Sequence, residues 1–308
     1  MNVAMRKINR QRPWCHALAA AALACITGGA AAEMPIYKLS LAPEDESIYA
    51  PPTAPREDQG VNLGGVNLDL KFTYLSAYVY RGIDHSNFVN NKKERPNLQF
   101  EGTVFFNTGK LPHPFIGIFT NVNNGDPVSR FQEIRPYAGV EWTLRPFTVD
   151  AGVNSYIYPE REKFNTAEAW AKITFDDSIL FRSERPLFSP YVYGAYDYVL
   201  NNGTYLEAGI KHDFVIEDTG LTLTVLGDIA YVNNIKQVFI FTNKGANGLQ
   251  HYDVGLIATY SLNSLFHFSK RYGDVSLNGY LYYTDGISRD VLHADTKIWG
   301  GVGIQFKY

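Results

Sequence analysis

The sequence predicts an all-β protein: a transmembrane, antiparallel, up-and-down β-barrel of about 12 strands, preceded by an N-terminal signal peptide. Twelve segments alternate apolar and polar residues with the period of a strand. Most connections between them are alternately long and short, as in outer-membrane barrels, with exceptions at 177–187 and 200–202. The chain also ends on an uninterrupted apolar alternation. These three observations together favour a barrel that faces lipid on the outside.

Composition narrows the class of protein further. The 308 residues include 21 Tyr, 19 Phe and 26 Gly, with 28 basic and 31 acidic residues. A polytopic helical membrane protein is excluded, because each span needs about 20 consecutive apolar residues. The abundance of aromatics argues against disorder, and no strongly basic region suggests nucleic acid as a partner.

Residues 1–32 have the three parts of a secretory signal peptide. A basic start is followed by an apolar run over 14–26 and by small residues that end at Ala32, where we expect cleavage. A lipoprotein signal at Cys25 is the alternative, although its lead-in is a poor match. Cleavage after Ala32 removes Cys15 and Cys25, so the exported chain contains no cysteine and carries 24 basic and 31 acidic residues.

Residues 33–62 are rich in proline and acids and show no sustained periodicity, so we expect a Pro-rich periplasmic extension. The barrel is expected over 63–308. Its first strand places eight residues on one face: Val66, Leu68, Leu70, Phe72, Tyr74, Ser76, Tyr78 and Tyr80. The eleven further segments lie near 96–107, 113–122, 131–144, 146–158, 166–176, 188–199, 203–215, 220–232, 249–262, 273–285 and 296–308.

The lengths of the connections predict which end of the barrel is which. Long connections at 84–95, 122–131 and 232–248 are expected outside the cell, and compact ones at 108–112 and 217–220 in the periplasm. Tyrosines cluster where strands meet the outer loops, which predicts an interfacial girdle, although tyrosine is also simply common in strands. They are Tyr78, Tyr80, Tyr156, Tyr158, Tyr196, Tyr198, Tyr231, Tyr282 and Tyr283.

The last strand carries an apolar face that ends on the terminal residue of the sequence. It runs through Ile298, Gly300, Val302, Ile304, Phe306 and Tyr308. This ending resembles the signal by which Gram-negative barrels are recognised for assembly. It implies the barrel-assembly machinery as a partner, with Phe306 and Tyr308 as the assembly signal.

Three stretches resemble TorF-type porins of proteobacteria. They are the octapeptide SAYVYRGI at 76–83, the YIYP stretch at 156–159 followed by Glu168, and YLEAG at 205–209. The resemblance spans about 66–232 and implies an outer-membrane porin. Its motif positions are Ser76, Tyr78, Arg81, Gly82, Tyr156, Tyr158 and Pro159. Ala77 stands where the family usually has Asp, so any role of that acid is absent here.

The sequence contains no recognisable catalytic motif, so we expect no enzyme activity and no cofactor. His85 and Ser86 are adjacent, but neighbours in sequence are rarely a nucleophile and its base. His251 and Asp253 share the polar face of one strand and could bind a metal. A solvated pair is the simpler interpretation, so no metal site is predicted.

The polar faces of the strands carry charges that cannot face hydrocarbon and must line water or pair with one another. The leading hypothesis is therefore a pore for passive diffusion of small hydrophilic solutes or ions, mildly cation-preferring because acids exceed bases. Its expected lining residues are Lys71, Arg81, Glu101, Glu133, Arg135, Asp150, Lys172, Glu207, Lys211, Asp228 and Asp253.

Three alternatives remain open. A closed structural or adhesion barrel would act through its outer loops without transport, and its interior charges would pair as salt bridges. A lipid-modifying enzyme is the second, although no constellation supports it. A soluble periplasmic sandwich is the rival at the level of the fold.

Overall fold

A computed structural model describes residues 65–87, 95–123, 132–159, 161–216, 219–236, 245–269, 272–288, 291 and 296–308. In this part of the chain, twelve strands form one closed antiparallel barrel. The predicted fold class and strand number are therefore confirmed. The predicted signal peptide and Pro-rich extension lie outside the described residues.

Fourteen strands are described in all. They are β1 (Val66–Leu75), β2 (Val79–Tyr80), β3 (Ile83–Asp84), β4 (Asn97–Phe106), β5 (His113–Asn123), β6 (Gln132–Leu144), β7 (Phe147–Tyr156), β8 (Thr166–Phe175), β9 (Tyr191–Asp197), β10 (Gly203–Ile216), β11 (Leu221–Lys236), β12 (Gly245–Ser261), β13 (Asp274–Gly286) and β14 (Lys297–Lys307). β2 and β3 pair only with each other and form a separate two-stranded sheet. The other twelve build the wall.

Each wall strand pairs with its neighbours along the chain, and β1 closes the ring against β14. Leu70 lies opposite Phe306 at this seam, while Lys71 lies opposite Glu101 on β4. The pairing of β11 with β12 is irregular in two places, between Ile229 and Tyr231 and between Val232 and Ile235. Because the wall has no open edge, its backbone polar groups are paired around the whole ring.

The side chains of the wall alternate between an apolar outside and a polar inside. On β14, Ile298, Val302 and Ile304 are 70%, 56% and 45% exposed, whereas Trp299 and Gln305 are buried. Comparable exposed apolar residues occur on every other wall strand. A surface this apolar is unfavourable in water but suits hydrocarbon, as the predicted transmembrane barrel requires.

Two short α-helices connect strands: α1 (Ser178–Phe181) between β8 and β9, and α2 (Leu262–Phe266) between β12 and β13. Short 3₁₀ turns occur at His85–Asn87 and Glu162–Phe164. Among the described residues, neither helix has the length or the apolar character needed to cross a membrane.

The first strand is shorter than predicted, and this changes the position of the residues that follow it. β1 ends at Leu75, and the next segment turns into the barrel instead of continuing the outward alternation. Tyr78 and Tyr80 are therefore buried inside the barrel, at 4% and 7% exposure. The prediction that they belong to an interfacial girdle is wrong.

The girdle prediction also fails for Tyr156, Tyr158 and Tyr282, which are buried. Their phenolic rings fall on the inward side, where a buried hydroxyl can find a polar partner. Tyr283 is half-buried, while Tyr196, Tyr198 and Tyr231 are 40–48% exposed as a girdle requires. Only these last three have the predicted exposure.

Candidate functional site

The candidate site is the interior of the barrel, which is crossed by a segment that we call the lumen hairpin, residues 76–87. It contains β2, β3 and the turn between them, with Tyr80 opposite Ile83. The turn residues Arg81 and Gly82 both have positive φ, at 51° and 73°. Two positive φ angles in a two-residue turn match the twist of a tight hairpin, and glycine adopts the second without strain.

The base of the lumen hairpin is fixed by Ser86. Its Oγ accepts hydrogen bonds from the backbone N–H of Tyr78 at 2.5 Å and from Nδ2 of Asn97 at 2.8 Å. The N–H of Ser86 donates to Oδ1 of Asp84 at 2.9 Å. These bonds join the two ends of the segment to each other and to β4. They give Ser86 a structural role.

The tip of the lumen hairpin binds the wall through Arg81. Its two terminal nitrogens donate to the two carboxylate oxygens of Glu168 on β8, each at 2.9 Å. The guanidinium carbon lies 4.3 Å from the ring centre of Tyr205 on β10, within the range of a cation–π contact. Glu168 is 2% exposed, so this is a buried, bidentate ion pair of the stronger geometric kind.

Glu168 receives further donors from β7. The hydroxyl of Tyr156 donates to its Oε1 at 2.6 Å, and Nδ2 of Asn154 donates to the same oxygen at 3.0 Å. Asn154 in turn accepts a bond from the indole nitrogen of Trp170 at 3.1 Å. A carboxylate can accept about four hydrogen bonds. The four bonds from Arg81, Tyr156 and Asn154 therefore stabilise the buried negative charge of Glu168.

A second ion pair lies on one side of the lumen hairpin. Nε of Arg135 donates to Oε1 of Glu133 at 2.8 Å, and both residues come from β6. The hydroxyl of Tyr78 donates to Oε2 of the same carboxylate at 3.1 Å. Tyr80 places its ring 4.4 Å below the guanidinium of Arg135 and bonds to the hydroxyl of Tyr156 at 2.6 Å.

The other side of the lumen hairpin contacts β12, β13 and β14. Lys297 forms an ion pair with Asp84. The buried Val79 belongs to an apolar cluster that includes Tyr282 and Trp299. The hairpin therefore touches strands on both sides of the ring and crosses the lumen.

His85 follows β3 in the lumen hairpin and is 2% exposed. Burial, and after it the positive charge of Arg135, lower the pKa of this imidazole to about 3. His85 is therefore neutral at physiological pH. The adjacent Ser86 is held by the bonds described above, so the pair shows no nucleophile–base geometry.

The expected lining residues are on the inward side of the wall strands, as the alternation predicts, except for Arg81, which belongs to the lumen hairpin. Ten lie on the inward side of the wall: Lys71, Glu101, Glu133, Arg135, Asp150, Lys172, Glu207, Lys211, Asp228 and Asp253. Several are packed against aromatic rings. The Nζ of Lys172 lies 4.8 Å from the ring centre of Tyr191, and Tyr191 donates to Glu207 at 2.7 Å.

Most of the residues in the family-like motifs come together at the lumen hairpin. Arg81 and Gly82 form its turn, and Tyr78 packs with Tyr156 and Tyr158 in one buried cluster. Ser76, the first residue of the hairpin, donates its backbone N–H to the carbonyl oxygen of Gly300 on β14, and Pro159 is exposed. Stretches that are about 75 residues apart in sequence thus meet in one place.

Three residues that meet at the tip of the lumen hairpin are missing from the expected lining set. The alternation places Glu168 on the polar face of its strand, and it also belongs to a family-like motif, yet it is missing from the lining set although it binds Arg81. Tyr193 and Tyr205 contact the same guanidinium. All three lie on the inward side of their strands, so their alternation was a usable signal.

His251 and Asp253, which the sequence analysis set aside as a solvated pair, are buried on the inward side of β12 at 0% and 1% exposure. Nε2 of His251 lies 3.4 Å from Oδ2 of Asp253. The structure adds Asp228, on the neighbouring strand β11, to this pair. Because the pair is buried, the prediction that it is solvated is wrong.

No protein-family model matches this sequence, and no curated protein sequence matches it either. Among solved structures, the NanC porin is similar with 12% identity and a TM-score of 0.45, covering 78% of this chain and 100% of that one. The KdgM porin in complex with oligogalacturonate is similar with 11% identity and a TM-score of 0.43, and the match covers 79% of this chain and 99% of that one. LpxR from Salmonella typhimurium is similar with 10% identity and a TM-score of 0.45, and the match covers 77% of this chain and 99% of that one. Likeness at this level says nothing about what this chain transports or catalyses.

Proposed function

We propose that this chain is an outer-membrane channel for small hydrophilic solutes or ions, with a lumen that is constricted by residues 76–87. The observation that supports this most is the pairing of an apolar outer surface with an interior lined by charged residues of both signs. Charges are expensive in hydrocarbon and are retained inside barrels where they meet water, a solute or each other.

The lumen hairpin sets the width of the proposed path. Arg81 and Asp84 bind opposite parts of the wall, at Glu168 and Lys297. A segment anchored on both sides narrows the cross-section that is left for a solute. We therefore infer small ions and short polar molecules as the substrate class, and a conductance well below that of an open barrel of this size.

Charge around this path favours cations. Glu101 on β4 and Glu207 on β10 face the lumen, and the expected lining set holds more acids than bases. An excess of fixed negative charge raises the local concentration of cations in a narrow aqueous path. The preference is expected to be mild, because Arg81, Arg135 and Lys172 lie in the same interior.

Single-channel recording of the refolded mature protein in a planar bilayer tests the proposal. With a salt gradient across the bilayer, we expect small discrete steps and a reversal potential of the sign set by cation flow. The double variant Glu101→Gln with Glu207→Gln should move that potential toward zero. Glu184→Gln is the matched control, because Glu184 is an exposed carboxylate beyond α1.

A closed barrel is the second candidate, and one observation favours it. Glu133, Lys172 and Glu207 are only 1–2% exposed although they lie on the inward side. Side chains packed to this degree could fill the lumen with paired charges, as in smaller barrels. Absence of conductance from protein whose folding is shown by a heat-dependent gel shift would contradict the channel and support this candidate.

A further inference from the structure

We propose that Asp228, His251 and Asp253 form a binding site for one divalent transition-metal ion inside the barrel, with Zn²⁺ as the best match. One candidate ligand atom from each residue can be chosen so that all three lie within 4.8 Å of one another. Asp228 on β11 is paired directly with Asp253 on β12. His251 precedes Asp253 by two residues, so both side chains project from the same face of β12.

Across the described ranges, the Asp253 carboxylate lacks the hydrogen bonds that a buried charge requires, and the Asp228 carboxylate has a single backbone hydrogen bond, from Asp253. Asp253 is 1% exposed, and among the described residues neither of its oxygens accepts a hydrogen bond; the same holds for the buried Oδ1 of Asp228. Nε2 of His251 lies 3.4 Å from Oδ2 of Asp253, which is within ion-pair distance when the imidazole is protonated but beyond the usual range of an N–H···O hydrogen bond. Within the described part of the chain, no lysine or arginine forms an ion pair with either Asp.

A buried carboxylate without hydrogen bonds and without a permanently charged lysine or arginine beside it is costly, and a cation between the three residues would remove that cost. Glu207 is a further source of negative charge that acts on Asp228. The surroundings of these residues therefore attract a cation, and their convergence provides the ligands.

The ligand set decides which cation fits. One imidazole nitrogen and two carboxylate oxygens suit Zn²⁺ and related first-row ions, whereas Ca²⁺ and Mg²⁺ prefer oxygen ligands alone. The ring of Tyr205 stacks on that of His251 with centroids 6.3 Å apart, which limits rotation of the imidazole. A Cβ placed on Gly82 would lie 2.6 Å from Cγ of His251, so the turn of the lumen hairpin packs directly on this ligand.

Isothermal titration calorimetry with ZnCl₂ tests the site, using the full mature barrel refolded in detergent, treated with EDTA and carrying no polyhistidine tag. We expect one Zn²⁺ per barrel. Asp253→Asn and His251→Gln should each weaken binding by at least about tenfold, since each removes one ligand. Asp213→Asn is the matched control. It removes an inward carboxylate of β10 that accepts a bond from Thr224 and lies outside the cluster.

Each variant is first shown to be folded by circular dichroism and by a heat-dependent gel shift. X-ray absorption of the Zn²⁺-loaded wild type gives a second measurement, in which we expect a nitrogen and oxygen shell with scattering from a single imidazole. Equal affinity in wild type and both ligand variants, or no binding by the folded wild type, would overturn the proposal. None of these measurements involves conductance, so the result is independent of whether the barrel is a channel.

Discussion

Arg81 donates two hydrogen bonds to the carboxylate of Glu168, and this ion pair links the tip of the lumen hairpin to the far wall. Residue 81 follows β1, whereas Glu168 belongs to β8, and β4, β5, β6 and β7 lie between these strands around the ring. The pair therefore holds the hairpin across the interior. Its loss should affect both the stability of the barrel and the width of the path through it.

Glu168→Gln is expected to destabilise the folded barrel. The substitution leaves the guanidinium of Arg81 in the interior without its countercharge, and breaking a buried pair on one side costs about 3–5 kcal/mol. The side chain of Arg81 is 15% exposed, so we expect the lower end of that range. Urea unfolding in lipid vesicles measures the change.

The double variant Arg81→Gln with Glu168→Gln is the control for this prediction. It removes both charges, so part of the lost stability should return. If Glu168→Gln alone is as stable as the wild type, the ion pair does not hold the hairpin.

Gly82→Ala is expected to displace the lumen hairpin and to raise the single-channel conductance. The new Cβ would overlap the ring of His251 at 2.6 Å, and the φ of 73° adds strain for a residue with a side chain. Overlap of this kind adds about 1–3 kcal/mol to that strain. Planar-bilayer recording and urea unfolding give the two readouts.

Gly109 provides a closely matched control. Its φ is 70°, but a Cβ there would meet nothing within 4 Å. Gly109→Ala should therefore cost only the backbone strain of about 1–2 kcal/mol and leave the conductance unchanged. Equal conductance in the two variants would show that the hairpin does not limit the path.

The wall of the barrel could be predicted from the sequence because its signal is local. Alternation with period two and the apolar face of β14 are readable residue by residue, and both appear in the structure. The lumen hairpin could not be predicted in this way. Ser76, Tyr78 and Tyr80 continue the alternation of β1, so the pattern does not show that the wall strand ends at Leu75.

The contacts of the lumen hairpin with the wall could not be predicted from the sequence for a different reason. Arg81 and Glu168 are 87 residues apart in sequence, and alternation tells only that a side chain faces inward, not which side chain lies opposite. The same holds for Asp228 and Asp253, whose adjacency depends on the register of β11 with β12. The girdle prediction failed in part because tyrosine side chains are suited both to the membrane interface and to the barrel interior.

His85 is expected to make the folded barrel less stable in acid. Its folded-state pKa is about 3, whereas an unfolded histidine takes up a proton near pH 6.5. Between these values the unfolded state binds more protons, so the free energy of unfolding falls as the pH falls. Urea unfolding of wild type and His85→Gln at pH 7 and pH 4 isolates this contribution. The wild type should lose more stability than the variant, and identical losses would contradict the burial of a neutral imidazole.

Val302→Arg tests whether the apolar outside of the barrel faces hydrocarbon. Val302 lies midway along β14 and is 56% exposed on the outward side. An arginine at the middle of a bilayer costs about 2–4 kcal/mol in barrels of this kind, falling to about 0–1 kcal/mol near the interfaces.

Leu111→Arg is the control, because Leu111 is 68% exposed in the turn between β4 and β5, at the rim. In lipid vesicles, unfolding should show a larger loss for Val302→Arg than for Leu111→Arg. Equal and small losses would mean that this face meets water, and the soluble alternative would then account better for the chain.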